Sequence, residues 1–395
     1  MKLRIAFLAG GAAISLFAIL GVAWVFSLPP APDAEPASPV PEDEVAATLA
    51  ALKPPKRQRP LIAVVGINEA TETNDYLMPY GILRRSDVAD VVALGTRPGP
   101  IKLFPALKVE PHATIAEFDA KYPGGADYVI VPAMSRDDDP LVLTWVRQQK
   151  EKGAIVVAVC AGAKVLAAAG LLDQRCATTH WFYLRELRRG HPAAKYVPDR
   201  RFVVDEGIAT TTGISASIPM ALTLIEAIAG LKKAEAVAGE IGVACWDARH
   251  RSSTFQFTRP FALTAMKNIL AFWKRERFGI EMTPDMDEVS LGLMADAWSR
   301  TYRSRAFTYS RSGDAQMSRN GIRIYPDRTT GTWPARRVLA PIGSRPAQDL
   351  DNVLRQIAQR YGSSTAHFVA MQLEYPGRQS RPDDQALFQI ALRGG

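Results

Sequence analysis

Residues 154–166 read AIVVAVCAGAKVL: six apolar residues, then a cysteine, then a turn of small residues. A short, continuous apolar run is typical of a strand that is buried on both faces of a parallel sheet. Two further runs of this kind are LIAVVG at residues 61–66 and YVIV at residues 128–131. Segments with helical periodicity lie between the runs, at residues 79–90 and 139–152. Strands that alternate with helices predict a doubly wound, mostly parallel α/β sheet.

Cys160 comes directly after the last of these strands, at the edge where such sheets bind their ligands. A tight turn from strand to helix needs small neighbours, and Ala161 and Gly162 meet that need, so Cys160 is a candidate nucleophile elbow. The N-terminus of the following helix favours a thiolate, and we expect a pKa below the value of about 8.5 for a free cysteine. The alternative is that Cys160 is a small buried hydrophobic residue without chemistry.

The length and composition describe a folded protein of more than one unit. A chain of 395 residues exceeds what one hydrophobic core usually organises, and we expect an α/β unit at residues 61–232 and a basic α+β region at residues 233–395. With 47% hydrophobic and 22% charged residues, a disordered chain is excluded. The net charge of +8 is too small to indicate nucleic-acid binding by itself. With three cysteines, five histidines and no CxxC or HxxxH pair, we expect neither a disulfide scaffold nor a metal site. We find no internal repeat.

The N-terminal sequence predicts export. Residues 5–28 form an apolar run of 24 residues. As a helix it would span roughly 36 Å, more than the ~30 Å hydrocarbon core of a bilayer. An uncleaved anchor is favoured over a cleaved signal peptide. Lys2 and Arg4 would hold the N-terminus in the cytoplasm, which predicts a single-pass inner-membrane protein whose main part is periplasmic, or a secreted protein if the segment is cleaved. Residues 29–60 are a proline-rich, then basic, linker.

The motif around Cys160 resembles a known family. Residues 159–181, VCAGAKVLAAAGLLDQRCATTHW, resemble the ThiJ/PfpI family of the class I glutamine amidotransferase-like superfamily. They are especially similar to the sensor-like domain at the N-terminus of AraC-type regulators. Residues 74–85 resemble the first loop and helix of the family, and residues 202–205 and 211–218 its late strand and closing helix. The resemblance covers residues 61–232 and implies a flavodoxin-like sheet.

By this resemblance, three side chains would form the site. Cys160 takes the position of the elbow cysteine, Asp75 that of the acid that hydrogen-bonds the sulfur, and His180 that of a histidine that serves as general acid or base. A carboxylate beside a thiol can accept and return a proton while the sulfur adds to a carbonyl or isocyanide carbon. Two alternatives remain open, that Asp75 is a helix N-cap ahead of Pro79 and that His180 is a packed loop residue.

Two departures from the family pattern bear on the reaction. The backbone amides of Ala133 and Ala161 are the expected oxyanion donors. Most relatives have glycine at the position of Ala133, and the Cβ of Ala133 weakens the case for efficient catalysis. Ala161 also replaces the histidine that follows the cysteine in the protease-like branch. Peptidase and glutamine-hydrolysing activities are therefore not expected.

Three functional hypotheses follow. The first is a cofactor-independent enzyme whose Cys160 adds to small electrophiles, as a hydratase, glyoxalase or deglycase-like protein would. The second is a non-enzymatic ligand or redox sensor that uses the same pocket. The third is an assembly protein that docks on lipid or a partner through its basic second half, where residues 300–345 hold ten arginines and two acids.

Partners are less well defined by the sequence. Related regulators continue into a helix-turn-helix domain after residue 230, and because we find none here, DNA is not an expected partner. The expected partners are a small electrophile or ligand and, through residues 5–28, the lipid bilayer. The resemblance allows a homodimer, without an interface that can be read from the sequence. Pairing of Cys176 with Cys245 stays open.

Overall fold

The computed structural model describes residues 20–21, 23–32, 36–328, 333–339, 343 and 345–377. The predicted membrane span at residues 5–28 lies largely outside this set. Among the described residues, no helix has both the length and the apolar character needed to cross a membrane.

The strands and helices are numbered here in chain order. The strands are β1 Leu61–Gly66, β2 Glu69–Glu72, β3 Asp90–Gly95, β4 Ile101–Phe104, β5 Lys108–Glu110, β6 Ala113–Thr114, β7 Tyr128–Val131, β8 Ile155–Ala158, β9 Cys176–Ala177, β10 Lys195–Tyr196, β11 Phe202–Asp205, β12 Ile208–Thr211, β13 Glu276–Glu281, β14 Ser304–Tyr309, β15 Gln316–Met317 and β16 Arg323–Tyr325. The helices are α1 Glu42–Ala51, α2 Thr73–Ser86, α3 Ile115–Lys121, α4 Pro140–Glu151, α5 Gly162–Ala168, α6 Leu184–Gly190, α7 Ser217–Ala229, α8 Leu231–Ile241, α9 Arg259–Leu270, α10 Glu288–Ser299, α11 Pro346–Tyr361 and α12 Ser363–Gln372.

The main sheet has seven strands in the order β11-β12-β8-β7-β1-β3-β6. Its neighbouring strands run parallel except for β11, which is antiparallel to β12. The alternating side chains of β1 show why its sequence is continuously apolar. Ile62 and Val64 enter one hydrophobic core, and Leu61, Ala63 and Val65 enter another on the opposite face. Both faces are buried, which confirms the predicted α/β architecture with a mostly parallel sheet.

Helix α2 begins earlier than the periodicity predicted. It starts at Thr73 rather than at residue 79, and Pro79 lies inside it. The Glu72 side chain caps the helix by accepting the Asp75 amide at 2.6 Å. Because most of α2 is buried, packing outweighs the cost of an internal proline. This earlier start places Asp75 in the first turn, at the carboxyl edge of the sheet.

Elements from both predicted units share a second sheet. Its five strands have the order β15-β16-β5-β4-β2, so the β15–β16 hairpin extends the β4–β5 hairpin. Strands β13 and β14 pair in parallel, with α10 between them in the chain. Helix α10 packs against α2, and α11 and α12 follow it. The second half of the described chain therefore lies beside the carboxyl edge of the main sheet.

Candidate functional site

Cys160 sits in a tight turn between β8 and α5. Its φ is +59°, in the left-handed region that L residues seldom occupy. A Cβ added at Gly162 would lie 2.1 Å from the carbonyl oxygen of Val131, so no larger residue fits there without movement. The turn is held by two hydrogen bonds: the Cys160 amide donates to Thr211 Oγ1 at 3.1 Å, and Thr179 Oγ1 donates to the Cys160 carbonyl at 3.1 Å. This geometry matches the strained elbow expected from the small-residue turn.

The thiol is buried, and this reverses one expectation. Cys160 is 4% exposed. Burial raises the pKa of its thiol well above the ordinary value, and the negative charges of Asp75 and Glu72 raise it further, while a hydrogen bond from the Ala161 amide lowers it. The expectation of a lowered thiol pKa was therefore wrong for this conformation. Helix α5 has only seven residues, and its N-terminus is outweighed by desolvation and the carboxylates.

Asp75 is the carboxylate whose charge raises the thiol pKa most. Its Oδ2 accepts the Ala133 amide at 3.2 Å, and its Oδ1 is buried without a hydrogen-bond partner among the described residues. Burial raises the pKa of Asp75 to about 7, with the Ala133 hydrogen bond and the Arg300 charge opposing that rise. The cap of α2 is Glu72, so the reading of Asp75 as the N-cap is wrong.

The two expected oxyanion donors both lie beside this pair but are already engaged. The Ala133 amide is bonded to Asp75, and the Ala161 amide faces the sulfur. An oxyanion at this site would have to take these donors from the carboxylate or the thiol.

His180 is held in a structural role. The Phe182 amide donates to its Nδ1 at 3.1 Å, and its Nε2 lies 3.0 Å from the Gln372 carbonyl, which can only accept, so Nε2 carries the proton. Burial lowers the pKa of the ring, which favours its neutral form. Trp181 Nε1 donates to the Met371 carbonyl at 2.8 Å. Both ring nitrogens of His180 thus have partners, and the geometry fits the packed loop histidine rather than an acid or base.

Sequence reasoning missed a buried ionic group on α2 and α10. Arg300, just after α10, lies 2.7 Å from Glu72 Oε1 through Nη2 and 2.6 Å from Asp296 Oδ1 through Nε. Burial raises the pKa of Glu72 and of Asp296, and the charge of Arg300 opposes both rises. Burial lowers the pKa of Arg300, but the negative charges of Asp296 and Glu72 together outweigh it, so that this pKa is raised. No local signal marked Arg300, which lies in the half of the chain without a recognised motif.

A second missed residue, Glu374, covers the site from the end of α12. Its Oε1 lies 2.9 Å from His250 Nε2, and its Oε2 accepts the Trp181 amide at 3.2 Å. Ser215 Oγ donates to the Glu374 carbonyl at 2.7 Å. The Glu374 carboxylate adds to the charges that raise the pKa of Cys160. The segment after α12 is therefore fastened by buried polar contacts to Trp181, Ser215 and His250.

The acids of the site are held by Arg300 and by backbone amides rather than arranged around a metal ion. No cluster of three or more His, Cys, Asp or Glu side chains in the described part of the chain has a geometry that would hold a metal. Cys160, Cys176 and Cys245 are all free thiols.

Comparisons with known proteins agree on the family. Residues 62–227 match the DJ-1/PfpI family. The isonitrile hydratase of Pseudomonas putida is 32% identical over 168 residues, which are 41% of this chain and 70% of that protein. The glutathione-independent glyoxalase DJR-1.2 of Caenorhabditis elegans is 24% identical over 169 residues, 42% of this chain and 83% of that protein.

A regulator matches over a shorter stretch. The HTH-type transcriptional regulator CdhR of Pseudomonas aeruginosa is 35% identical over 86 residues, 22% of this chain and 25% of that protein. The expectation that DNA is not a partner stays a prediction. From the matched residues, the similarity to the hydratase and the elbow at Cys160, we conclude that this chain belongs to the DJ-1/PfpI family.

Proposed function

We propose that the chain is a cysteine-dependent enzyme in which Cys160 adds to an electrophilic carbon of a small neutral molecule. The observation that carries the proposal is Asp75, a buried carboxyl beside the thiol with a pKa of about 7 and an unpartnered Oδ1. A group that titrates near neutral pH is suited to both accepting and returning a proton. A thiol that is protonated at rest needs such a base at the moment of addition.

The proton balance of the first step follows from these two groups. The sulfur forms a bond to the substrate carbon, the S–H bond breaks, and the Asp75 carboxylate takes the proton. Asp75 then returns the proton to the substrate, at carbon for an isocyanide or at oxygen for a carbonyl compound. For an isocyanide, water next adds to the carbon and the C–S bond breaks, which releases a formamide and restores the thiol.

The substrate class is supported by relatives with two named activities. An isonitrile hydratase and a glyoxalase are among the relatives of the chain, and the family match at residues 62–227 contains Asp75 and Cys160. Isocyanides and reactive carbonyl compounds share a small electrophilic carbon that a thiol can attack. Deglycase-like repair of reactive carbonyls belongs to the same class.

A second candidate function is a ligand or redox sensor. The observation that favours it is that the site is closed at rest: Cys160 is buried, the Ala133 amide is engaged, and the nearby Glu374 is buried and held by His250. A ligand would have to displace the segment after α12, and that displacement could carry a signal. Displacement would also expose the thiol to oxidation.

The experiment that separates these functions is turnover of a small alkyl isocyanide and of methylglyoxal by the full chain. We expect Cys160→Ser to abolish turnover and Asp75→Asn to lower it by roughly 10²–10⁴-fold, the range of general acid–base catalysis. Cys176→Ser, which removes a partly buried thiol in β9, is the matched control and should turn over like the unchanged protein. Equal turnover with and without the Cys160 thiol would refute the enzyme. Absence of turnover combined with ligand-dependent exposure of Cys160 would favour the sensor.

We also propose that residues 5–28 anchor the chain in the inner membrane with its main part in the periplasm. The support is the apolar run itself and an exposed apolar surface beside its end. The Arg259 amide, at the start of α9, donates to the Pro29 carbonyl at 2.8 Å, and α9 and the turn after it expose several large apolar side chains: Leu263, Met266, Ile269, Leu270, Phe272 and Trp273. Apolar and aromatic side chains on a surface helix suit the membrane interface.

The membrane proposal is tested by fractionation. The chain should stay in the membrane pellet after an alkaline carbonate wash and be digested by protease added to spheroplasts. Phe17→Arg with Ile19→Arg places charges inside the apolar run and should release the chain from the pellet. Recovery of the unchanged chain in the soluble fraction would contradict the anchor, and soluble periplasmic recovery would indicate a cleaved signal.

A further inference from the structure

The chain after α9 repeats the order of five elements found at the start of the main sheet. The first segment, residues 61–110, contains β1, β2, α2, β3, β4 and β5, and the second segment, residues 276–325, contains β13, α10, β14, β15 and β16, so that only β2 has no counterpart in the second. Strand β1 begins at Leu61 and β13 at Glu276, an offset of 215 residues. The same offset relates the first residues of α2 and α10, of β4 and β15, and of β5 and β16, while β14 begins one residue earlier. The sequence itself shows no internal repeat, and the relation between the two segments lies in the order and spacing of their elements.

Unusual backbone conformations recur at the same offset. Ala70 and Asp285 both have a φ of 58°. Asp87 and Tyr302 have φ values of 53° and 59°. Positive φ is uncommon for residues other than glycine, so its recurrence at matched positions supports a common local structure.

The two segments face each other about an approximate twofold axis. Strands β5 and β16 pair antiparallel, with Val109 opposite Ile324, and these two residues are equivalent at the offset. A residue faces its own equivalent only at a twofold axis, as in the self-complementary interface of a symmetric dimer.

Ion pairs across this interface are reciprocal. Arg300 contacts Glu72 at 2.7 Å, and Arg85 pairs with Asp287. Arg85 is equivalent to Arg300, and Glu72 to Asp287, so each arginine reaches the acid that caps the other helix. A single structural relation therefore accounts for both contacts.

The closest approach of α2 and α10 follows the same relation. Asn74 Nδ2 donates to Asp296 Oδ2 at 2.7 Å. At the reciprocal positions, a Cβ added at Gly81 would lie 2.5 Å from Val289 Cγ2. Asn74 is equivalent to Val289 and Gly81 to Asp296, so the contacting positions match while their side chains differ.

The segments differ in what they lead to. The residue equivalent to Asp75 is Ser290, whose hydroxyl donates to Asp349 Oδ2 at 2.7 Å. After β5 the chain builds β7 and β8 and reaches Cys160, whereas the described chain after β16 continues to α11 and α12. Only one of the two reciprocal ion pairs, Arg300 with Glu72, therefore lies beside a thiol.

We propose that the second segment is a tethered partner copy of the first, and that it completes the Cys160 site by supplying Arg300 as a positioning residue. The proposal rests on the proposed function in that it concerns the same Cys160–Asp75 pair. Arg300 acts through Glu72, which accepts the Asp75 amide at 2.6 Å and so fixes the first turn of α2. Its charge also opposes protonation of Asp75, the group that must accept the thiol proton.

Several charged and titratable groups face this site from the elements packed around it. They are Glu72 at the end of β2, Asp75 on α2, Asp296 on α10, Arg300 just after α10, His180 and Tyr183 before α6, and Glu374 after α12. Arg300 is the cation among them, because burial favours neutral His180. Removing one cation from a group of coupled acids raises every pKa of that group.

The test compares two arginines with the same structural contact. Full-chain Arg300→Gln and Arg85→Gln proteins are treated with iodoacetamide across a pH series, and alkylation of Cys160 is followed by peptide mass spectrometry. We expect the pH profile of the Cys160 alkylation rate to move to higher pH in Arg300→Gln. Below the midpoint of this profile, the rate should fall about tenfold for every pH unit by which the thiol pKa rises. Arg85→Gln should keep the original profile, although it loses the reciprocal ion pair. Arg300→Lys should restore most of the rate, since it keeps the charge.

A merely structural role for Arg300 predicts a different result. The proposal is overturned if Arg300→Gln and Arg85→Gln have the same Cys160 profile. If Arg300→Gln does not fold by circular dichroism, the comparison of Arg300→Met with Arg85→Met, which also remove the charge, decides: a profile change confined to the first supports the proposal, and equal profiles overturn it. Alkylation needs no substrate, so an absence of turnover in the unchanged protein would refute the proposed enzyme without affecting this result.

Discussion

The first and second segments share the order of five elements, but only the first carries a site residue to the thiol. In the first, α2 carries Asp75 to the sheet edge beside Cys160. In the second, Ser290 occupies the equivalent position and bonds Asp349, away from any thiol. The caps and ion pairs that join α2 to α10 are present in both. The packing between the segments therefore persists in both, whereas a carboxylate beside a thiol is present only in the first. The packing and the thiol chemistry depend on different residues.

The largest expected effect concerns Asp75 and the pH dependence of stability. Its pKa is about 7 in the folded protein, against 3.8 for the free side chain, so the folded state binds more protons between these values. Stability should therefore fall as pH rises from about 4 to about 7, by up to about 4 kcal/mol at 1.36 kcal/mol per pKa unit.

This prediction is checked by chemical denaturation of the unchanged protein and Asp75→Asn at pH 5 and pH 8. The free energy of unfolding of Asp75→Asn should lack this fall. Between pH 5 and pH 8 it should therefore decrease less than the free energy of unfolding of the unchanged protein. Gly239→Ala in α8, where an added Cβ meets nothing within 4 Å, should keep the pH dependence of the unchanged protein. Parallel pH curves for Asp75→Asn and the unchanged protein would contradict the raised pKa.

An intermediate effect is expected where α2 and α10 approach most closely. A Cβ at Gly81 would lie 2.4 Å from Glu288 Oε1 and 2.5 Å from Val289 Cγ2, so Gly81→Ala should force the helices apart and cost about 1–3 kcal/mol of unfolding free energy. Gly239→Ala in α8, where a Cβ meets nothing within 4 Å, should instead stabilise the protein by up to about 1 kcal/mol. Thermal denaturation of the two variants measures the difference, and equal melting temperatures would argue against a tight interface.

The smallest expected effect concerns Ser290, the residue of the second segment that is equivalent to Asp75. Ser290→Ala removes the hydrogen bond to Asp349 and should cost about 1 kcal/mol of unfolding free energy. The rate of Cys160 alkylation should be unchanged at every pH, because Ser290 does not lie beside Cys160 as Asp75 does. A change in the Cys160 profile of this variant would mean that the two segments are coupled more broadly than through Arg300.

The expectation of a homodimer stays a prediction, and the arrangement of the segments restricts it. Helix α10 covers α2, and β16 covers the edge of β5. A homodimer would therefore use another surface of the chain. Analytical ultracentrifugation of the Gly81→Ala variant would reveal whether loosening this interface promotes self-association.

The sequence predicted the main sheet because its strands are apolar on both faces. The runs at residues 61–66 and 128–131 coincide with β1 and β7, and Cys160 lies in the turn that the small residues required. The start of α2 was missed because Pro79 reads locally as a first helical residue, whereas packing carries the helix past it. The thiol pKa was missed because its largest cause is burial, which the local sequence around Cys160 does not show, and because the charges of Asp75, Glu72 and Glu374 come from distant parts of the chain.

The repeat could not be read from the sequence for a simple reason. When residues 61–110 are aligned with residues 276–325 at the fixed offset, Arg85 and Arg300 form the single identical pair. Strand β1 is buried on both faces and reads LIAVVG, whereas β13 reads ERFGIE, because a strand in a smaller sheet needs fewer apolar residues. The relation between the two segments is therefore visible in their backbone geometry and reciprocal contacts, but not in their amino-acid sequences.

The tether between the segments has a consequence for how the site responds to dilution. Two separate subunits dissociate as their concentration falls, and any residue that one lends to the other is then withdrawn. Here Arg300 belongs to the same polypeptide as Glu72 and Asp75, so its local concentration is set by the connecting chain. A few molecules per cell would each carry a complete site, independent of mass action.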